Sequence, residues 1–175
     1  MICKNDYVNY GTHGICRVED IRPMKFDAWP ESRSCYILRP VYDEHSCIFV
    51  PADNRKLTKL MRPVLSAEEI DTIILSVKDK NLLWIDDRKK RTARFQDILL
   101  KRDEKELLLL AGCLYLKFRE APRGLSSTDA QTLKTAESII NQEFSFSLGI
   151  SPRNTGAYIR KKLGIPDLQS TPVSG

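Results

Sequence analysis

Trp84, Arg88, Arg91, Phe95, Ile98 and Leu99 are spaced so that, at about 100° per residue, they share one side of a helix. The stripe predicts a helix over about 84–101. It is apolar at its C-terminal end, cationic in the middle, and ends on an indole. Burying both guanidinium groups without partners would be costly. The helix is therefore expected to leave the core after Phe95 and to carry Trp84, Arg88 and Arg91 into solvent. An exposed indole beside cations has the chemistry to stack on nucleic acid or to wedge between its bases. The competing reading places Trp84 over the end of the core, with the arginine stems snorkelling past it.

Charge distribution points to the same region. The net charge is +5 over 175 residues, and residues 84–123 alone contribute +4. An excess of cations there favours contact with phosphates. Hydrophobic residues make up 42% of the chain and charged residues 29%, the balance of a globular protein. The longest apolar runs, such as Leu107 to Ala111, are too short to span a bilayer, so no membrane contact is expected. The N-terminus lacks the apolar stretch of a signal peptide, and the five cysteines are scattered, with no C-x-x-C pair. Both features predict a cytoplasmic protein with reduced thiols.

Catalytic chemistry finds little support. His13 and His45 fall in turns, and neither has a nucleophile motif around it. There is no phosphate-binding glycine loop and no H-E-x-x-H. The expectation is a protein without enzymatic activity, metal, cofactor or small-molecule substrate. Asp86 and Asp87 diverge by about 100° on a helix, and are expected to favour its N-terminus rather than act as an acid–base pair.

These residues are positioned by two kinds of structure. The first sixty residues read as strands: Tyr7–Tyr10, Ile15–Ile21, Ser34–Tyr42 and Ser46–Val50. Gly11 to Gly14 form a turn after the first. In the second strand Ile15, Arg17 and Glu19 fall on one face, and Cys16, Val18 and Asp20 on the other. Pro23–Pro30 reads as a loop around Phe26 and Trp29, either a partner contact or a lid. Beyond residue 65 the signals are helical. Ser66 with Glu69 forms a capping box, Asp103 with Glu106 and Ser126 with Asp129 mark later starts, and Ser151–Pro152 opens a last short helix. The expected fold is α+β: a small antiparallel barrel followed by an all-α bundle.

In their order along the chain, several segments resemble the CarD/CdnL family of bacterial RNA-polymerase-binding transcription regulators. They are 6–10 with His13-Gly14-Ile15, Val18–Ile21, Cys35–Leu38, Ile48–Asn54 and Met61–Ser66. The helical half contributes Trp84 with Arg88–Arg91, Leu125–Asp129, Ala136-Glu137 and Glu143. No matching pattern appears beyond residue 150. The resemblance implies a Tudor-like β domain over 1–65 that binds the β subunit of RNA polymerase, a helical DNA-contacting domain over 66–165, and a flexible tail over 166–175. It places Cys47, Ile48, Phe49, Val50 and Pro51 on an edge strand that pairs with the polymerase, with Arg22 and Met24 nearby. It maps a DNA-wedging tryptophan onto Trp84 at the upstream edge of the promoter bubble, where an inserted indole favours the open complex. Arg88, Lys89, Lys90, Arg91, Lys117, Arg119 and Arg123 would meet promoter DNA, largely without regard to sequence. Through polymerase the protein would associate with the nucleoid. The alternative is a protein–protein adaptor that uses the β edge without functional DNA contact.

Overall fold

A computed structural model describes residues 1–43 and 45–166; Glu44 in the second expected turn and the expected tail from 167 onward lie outside the described residues. The chain is α+β and divides into two compact units, Met1–Leu65 and Ser66–Gly175.

The first unit is a five-stranded antiparallel sheet. Its strands are β1 (Tyr7–Tyr10), β2 (Ile15–Met24), β3 (Arg33–Pro40), β4 (Ile48–Pro51) and β5 (Met61–Pro63), in the spatial order β4-β3-β2-β1-β5. A single 3₁₀ turn joins β1 to β2 and ends at Gly14, whose φ of 69° suits glycine. A one-turn helix, α1 (Arg55–Thr58), leads from β4 toward β5, and Asn54 caps it by accepting from the Lys56 and Leu57 amides. Alternation builds one apolar face from Val8, Tyr10, Cys16, Val18, Leu38, Val50 and Met61.

Two expectations change here. The barrel does not close: among the described residues the sheet is open, with β4 and β5 as its two edges. Closure needs hydrogen bonds between the outer strands, and these are only four and three residues long. The second change is a bulge in β2. Val18 faces Leu38 and Asp20 faces Ile37, so Glu19 is the extra residue. Beyond it every side chain switches face. Asp20 joins the side of Arg17, not that of Val18, and Arg22 and Met24 follow it.

The second unit is a helical bundle: α2 (Ala67–Ser76), α3 (Arg88–Lys101), α4 (Glu104–Glu120), α5 (Ser127–Leu148) and α6 (Pro152–Leu163). The caps stand where the sequence places them. Ser66 and Glu69 form a reciprocal capping box, Asp103 accepts from the Glu106 amide, and Ser126 accepts from the Asp129 amide. The core is Ile70, Ile74, Phe95, Ile98, Leu107, Leu110, Leu114, Ala136, Ile140 and Phe144. The helix expected over 84–101 starts four residues later. Asp87 is its N-cap and accepts from the Lys90 amide, so Trp84 lies in the preceding extended segment. Among the described residues no helix is long and apolar enough to cross a membrane.

Candidate functional site

Two places gather the residues that the sequence singles out, one in each unit. The first is β4. It hydrogen-bonds to β3 on one side only, so its other side is a free sheet edge. Ala52 N–H donates to the Ser34 carbonyl, 2.8 Å away. Backbone polar groups alternate sides along a strand. Val50 and Ile48 therefore also point theirs at β3, and Phe49 and Cys47 point theirs outward. Pro51 has no N–H to give and ends the outward ladder.

Side chains divide in the same way. Val50 is 0% exposed and Ile48 half-buried, both on the core face, where they hold the strand in place. Phe49 faces Ile37 across the sheet, which in turn faces Asp20; Pro51 faces Cys35, which in turn faces Arg22. Met24 faces Arg33 in the same series. Directly opposed residues share a face, so the Glu19 bulge is what brings Arg22 and Met24 onto the side of Phe49 and Pro51. Phe26 stands edge-on to Phe49 at 5.2 Å and to Trp29 at 4.8 Å, and the Arg33 guanidinium lies 5.6 Å from the Trp29 ring. The loop between β2 and β3 therefore packs on the outward face of β4. Residue spacing gave no signal for that contact, because Phe26 and Phe49 are far apart in the chain. Cys47 is exposed with a free thiol.

The second place is the ground around Trp84. The indole is half-buried and stands edge-on to Phe95 at 6.2 Å. The Arg91 guanidinium lies 4.4 Å from its ring centre and the Lys117 ammonium 5.3 Å from it. Two cations over one ring face are held by its quadrupole. The expectation that both arginines stand in solvent holds for Arg88 and fails for Arg91, which is only 8% exposed. Arg91 has partners that spacing did not show. It meets both carboxylate oxygens of Asp129, at 3.3 and 3.2 Å, and donates to the Ile85 and Asp86 carbonyls, at 2.8 and 3.1 Å. Asp129 also accepts from the Ser126 hydroxyl at 2.7 Å. A paired, hydrogen-bonded guanidinium tolerates burial that a lone one does not.

The remaining cations differ in their freedom. Lys89 and Lys90 are exposed on the first turn of α3, and Arg88 reaches Thr128 at 3.4 Å. Lys117 also pairs with Glu120 at 3.1 Å. Arg119 and Arg123 are exposed near the end of α4 and just beyond it. Asp86 is exposed and Asp87 is engaged as the cap. His13 stacks on Tyr10 at 5.6 Å, and His45 is an exposed turn residue.

No match to a curated protein was found. Residues 3–65 match a family model described as the CarD-like/TRCF RID domain. The matched segment contains all five strands and stops where the first compact unit stops. Sheet, open edge and match coincide, and residues 3–65 of this chain belong to the CarD-like RNA polymerase-interacting domains.

Proposed function

We propose that this protein is a transcription regulator that grips the β subunit of RNA polymerase along β4 and stabilises the promoter open complex through Trp84. The observation that carries the first half is the position of β4. In a domain matched to polymerase-interacting domains, it is an edge strand with Phe49 and Cys47 presenting their backbone outward. An added strand gains main-chain hydrogen bonds there, and its side chains meet the face of Arg22, Met24, Phe49 and Pro51.

The second half is supported by how Trp84 is held. It is half-buried, so it is neither a core residue nor a free-swinging one. Arg91 ties its own segment to α5 and lies on the ring, which removes rotational freedom before DNA arrives. Arg88, Lys89 and Lys90 next to it supply phosphate contacts, with Lys117, Arg119 and Arg123 behind. A ring wedged at a partly opened step favours the melted state and resists collapse of the bubble.

The test is the lifetime of the promoter open complex with purified polymerase. Trp84→Ala is expected to stay folded and to bind polymerase as before, while losing most of the gain in lifetime. An unchanged lifetime in a folded Trp84→Ala protein would leave the adaptor reading in its place.

A further inference from the structure

The pair α5–α6 plays no part in the reading above. The link between these helices is three residues, Gly149, Ile150 and Ser151. Gly149 takes a φ of 64°, and Ile150 N–H donates to the Ser145 carbonyl at 3.1 Å, which closes α5. Pro152 then opens α6. A three-residue turn containing glycine between two packed helices is the connection used by helix-turn-helix DNA-binding units.

Packing fixes which side of α6 faces inward. Thr155 is 0% exposed and Ser145 on α5 only 3%. The Thr155 hydroxyl has no partner, so the residue serves there as a small packing unit. On the flank, Tyr158 and Lys162 both bond to Asp71 of α2 at 2.6 Å. At about 100° per residue, Arg153, Ala157 and Lys161 lie on the opposite side, with Asn154 beside them, and all four are exposed. Ala157 and the neighbouring Gly156 keep the middle of that face low.

The charge on this face has one sign. α6 carries Arg153, Arg160, Lys161 and Lys162 and no acidic residue. Within the described residues Arg153 and Lys161 are in no ion pair. Elsewhere in this unit, solvated helix faces mix signs: Arg94 and Lys101 pair with Asp97, and Lys117 pairs with Glu120.

We propose that α5, its turn and α6 form a helix-turn-helix-type unit whose outer α6 face binds paired duplex DNA in the major groove. This surface is separate from Trp84, which stands against residues of α3 and α4, whereas α6 packs on α2 and α5. Arg153 and Asn154 occupy the first turn, from which recognition helices reach base edges. Arginine suits guanine there and asparagine suits adenine. Lys161, two turns on, reaches a phosphate.

The experiment is fluorescence anisotropy of the full chain on a labelled, fully paired duplex of about 25 base pairs, long enough for two major-groove turns. No polymerase is present, so failure of the polymerase reading does not affect the outcome. Circular-dichroism melting confirms that each variant is folded. Arg153→Ala/Lys161→Ala is expected to weaken binding at least tenfold and to lower the log–log salt slope by about 2, one phosphate contact per lost cation. Lys78→Ala/Lys80→Ala, which removes the same charge from the exposed link after α2, and Trp84→Ala are both expected to stay within twofold. Absence of duplex binding by the unaltered chain overturns the proposal. So does unchanged affinity in the folded α6 variant, or an equal loss in the Lys78/Lys80 control.

Discussion

Arg91 joins three things that the chain holds apart: Asp129 on α5, the Ile85 and Asp86 carbonyls, and the face of Trp84. Removing its carboxylate partner leaves a guanidinium buried with only neutral acceptors. Asp129→Ala is therefore expected to cost about 3 kcal/mol in urea unfolding. Arg91→Met/Asp129→Leu, which removes both charges, should recover most of that loss. It should nevertheless leave Trp84 less restrained, read as stronger acrylamide quenching in a Trp29→Phe background. Equal stability of the single and double variants would show that the pair is not what pins this segment. A second polar junction makes a prediction with a definite sign. The Lys162 ammonium, and after it the Tyr158 hydroxyl, hold the Asp71 carboxyl below its ordinary value. A depressed carboxylate stabilises the fold above its unfolded pKa, and that contribution is lost as pH falls through the folded one. Asp71→Asn is thus expected to lower the melting temperature at pH 7, with the difference shrinking as pH drops below about 4. Because Asp71 is partly exposed, the effect should be small and should fade in high salt. A difference that persists undiminished at pH 2 would assign it to something other than the ionised carboxylate.

At the level of elements, local signals were legible and distant ones were not. Ser66, Asp103 and Ser126 start helices because a cap needs only the next three residues. Trp84 was placed on a helix because its spacing to Arg88 and Arg91 continues the period; Asp87, whose side chain ends the helix, was read only as a favourable charge. The partners of Arg91 could not be read, since Asp129 is 38 positions away and was visible only as part of a cap. The bulge at Glu19 has no signature of its own, although it decides which face Arg22 and Met24 share with Phe49. β5 is three residues long and exists because β1 offers it an edge. What the sequence pattern did carry was the free edge of β4, through the resemblance and through Pro51. That edge makes its own prediction. Phe49→Asp places a charge on the outward face beside Phe26, where a partner strand would have to bury it. Polymerase affinity is expected to fall at least tenfold with little loss of domain stability, because Phe49 is outside the main core. Unchanged affinity in surface-immobilised binding would remove β4 from the interface.

For the whole molecule, the two units ask to be read as two weak attachments that become effective together. Binding polymerase through β4 turns the Trp84 contact with DNA into an intramolecular one. Its effective concentration is then on the order of millimolar for a short connection. This predicts different failures for the two lesions when open-complex lifetime is titrated with protein. Phe49→Asp weakens the first attachment but leaves the wedge intact. Its curve should shift to higher protein concentration by the same factor as the loss of polymerase affinity, and should reach the original plateau. Trp84→Ala leaves the first attachment intact. Its midpoint should stay in place while the plateau falls toward the value without the protein, and no concentration should restore it. The double variant should show both changes, shifted and low, because one lesion sets occupancy and the other sets what an occupied complex can do. If instead Phe49→Asp lowers the plateau and Trp84→Ala shifts the midpoint, the assignments of grip and wedge are exchanged. A common shift in both would mean that the two residues act on a single binding step, and that tethering does not describe this protein.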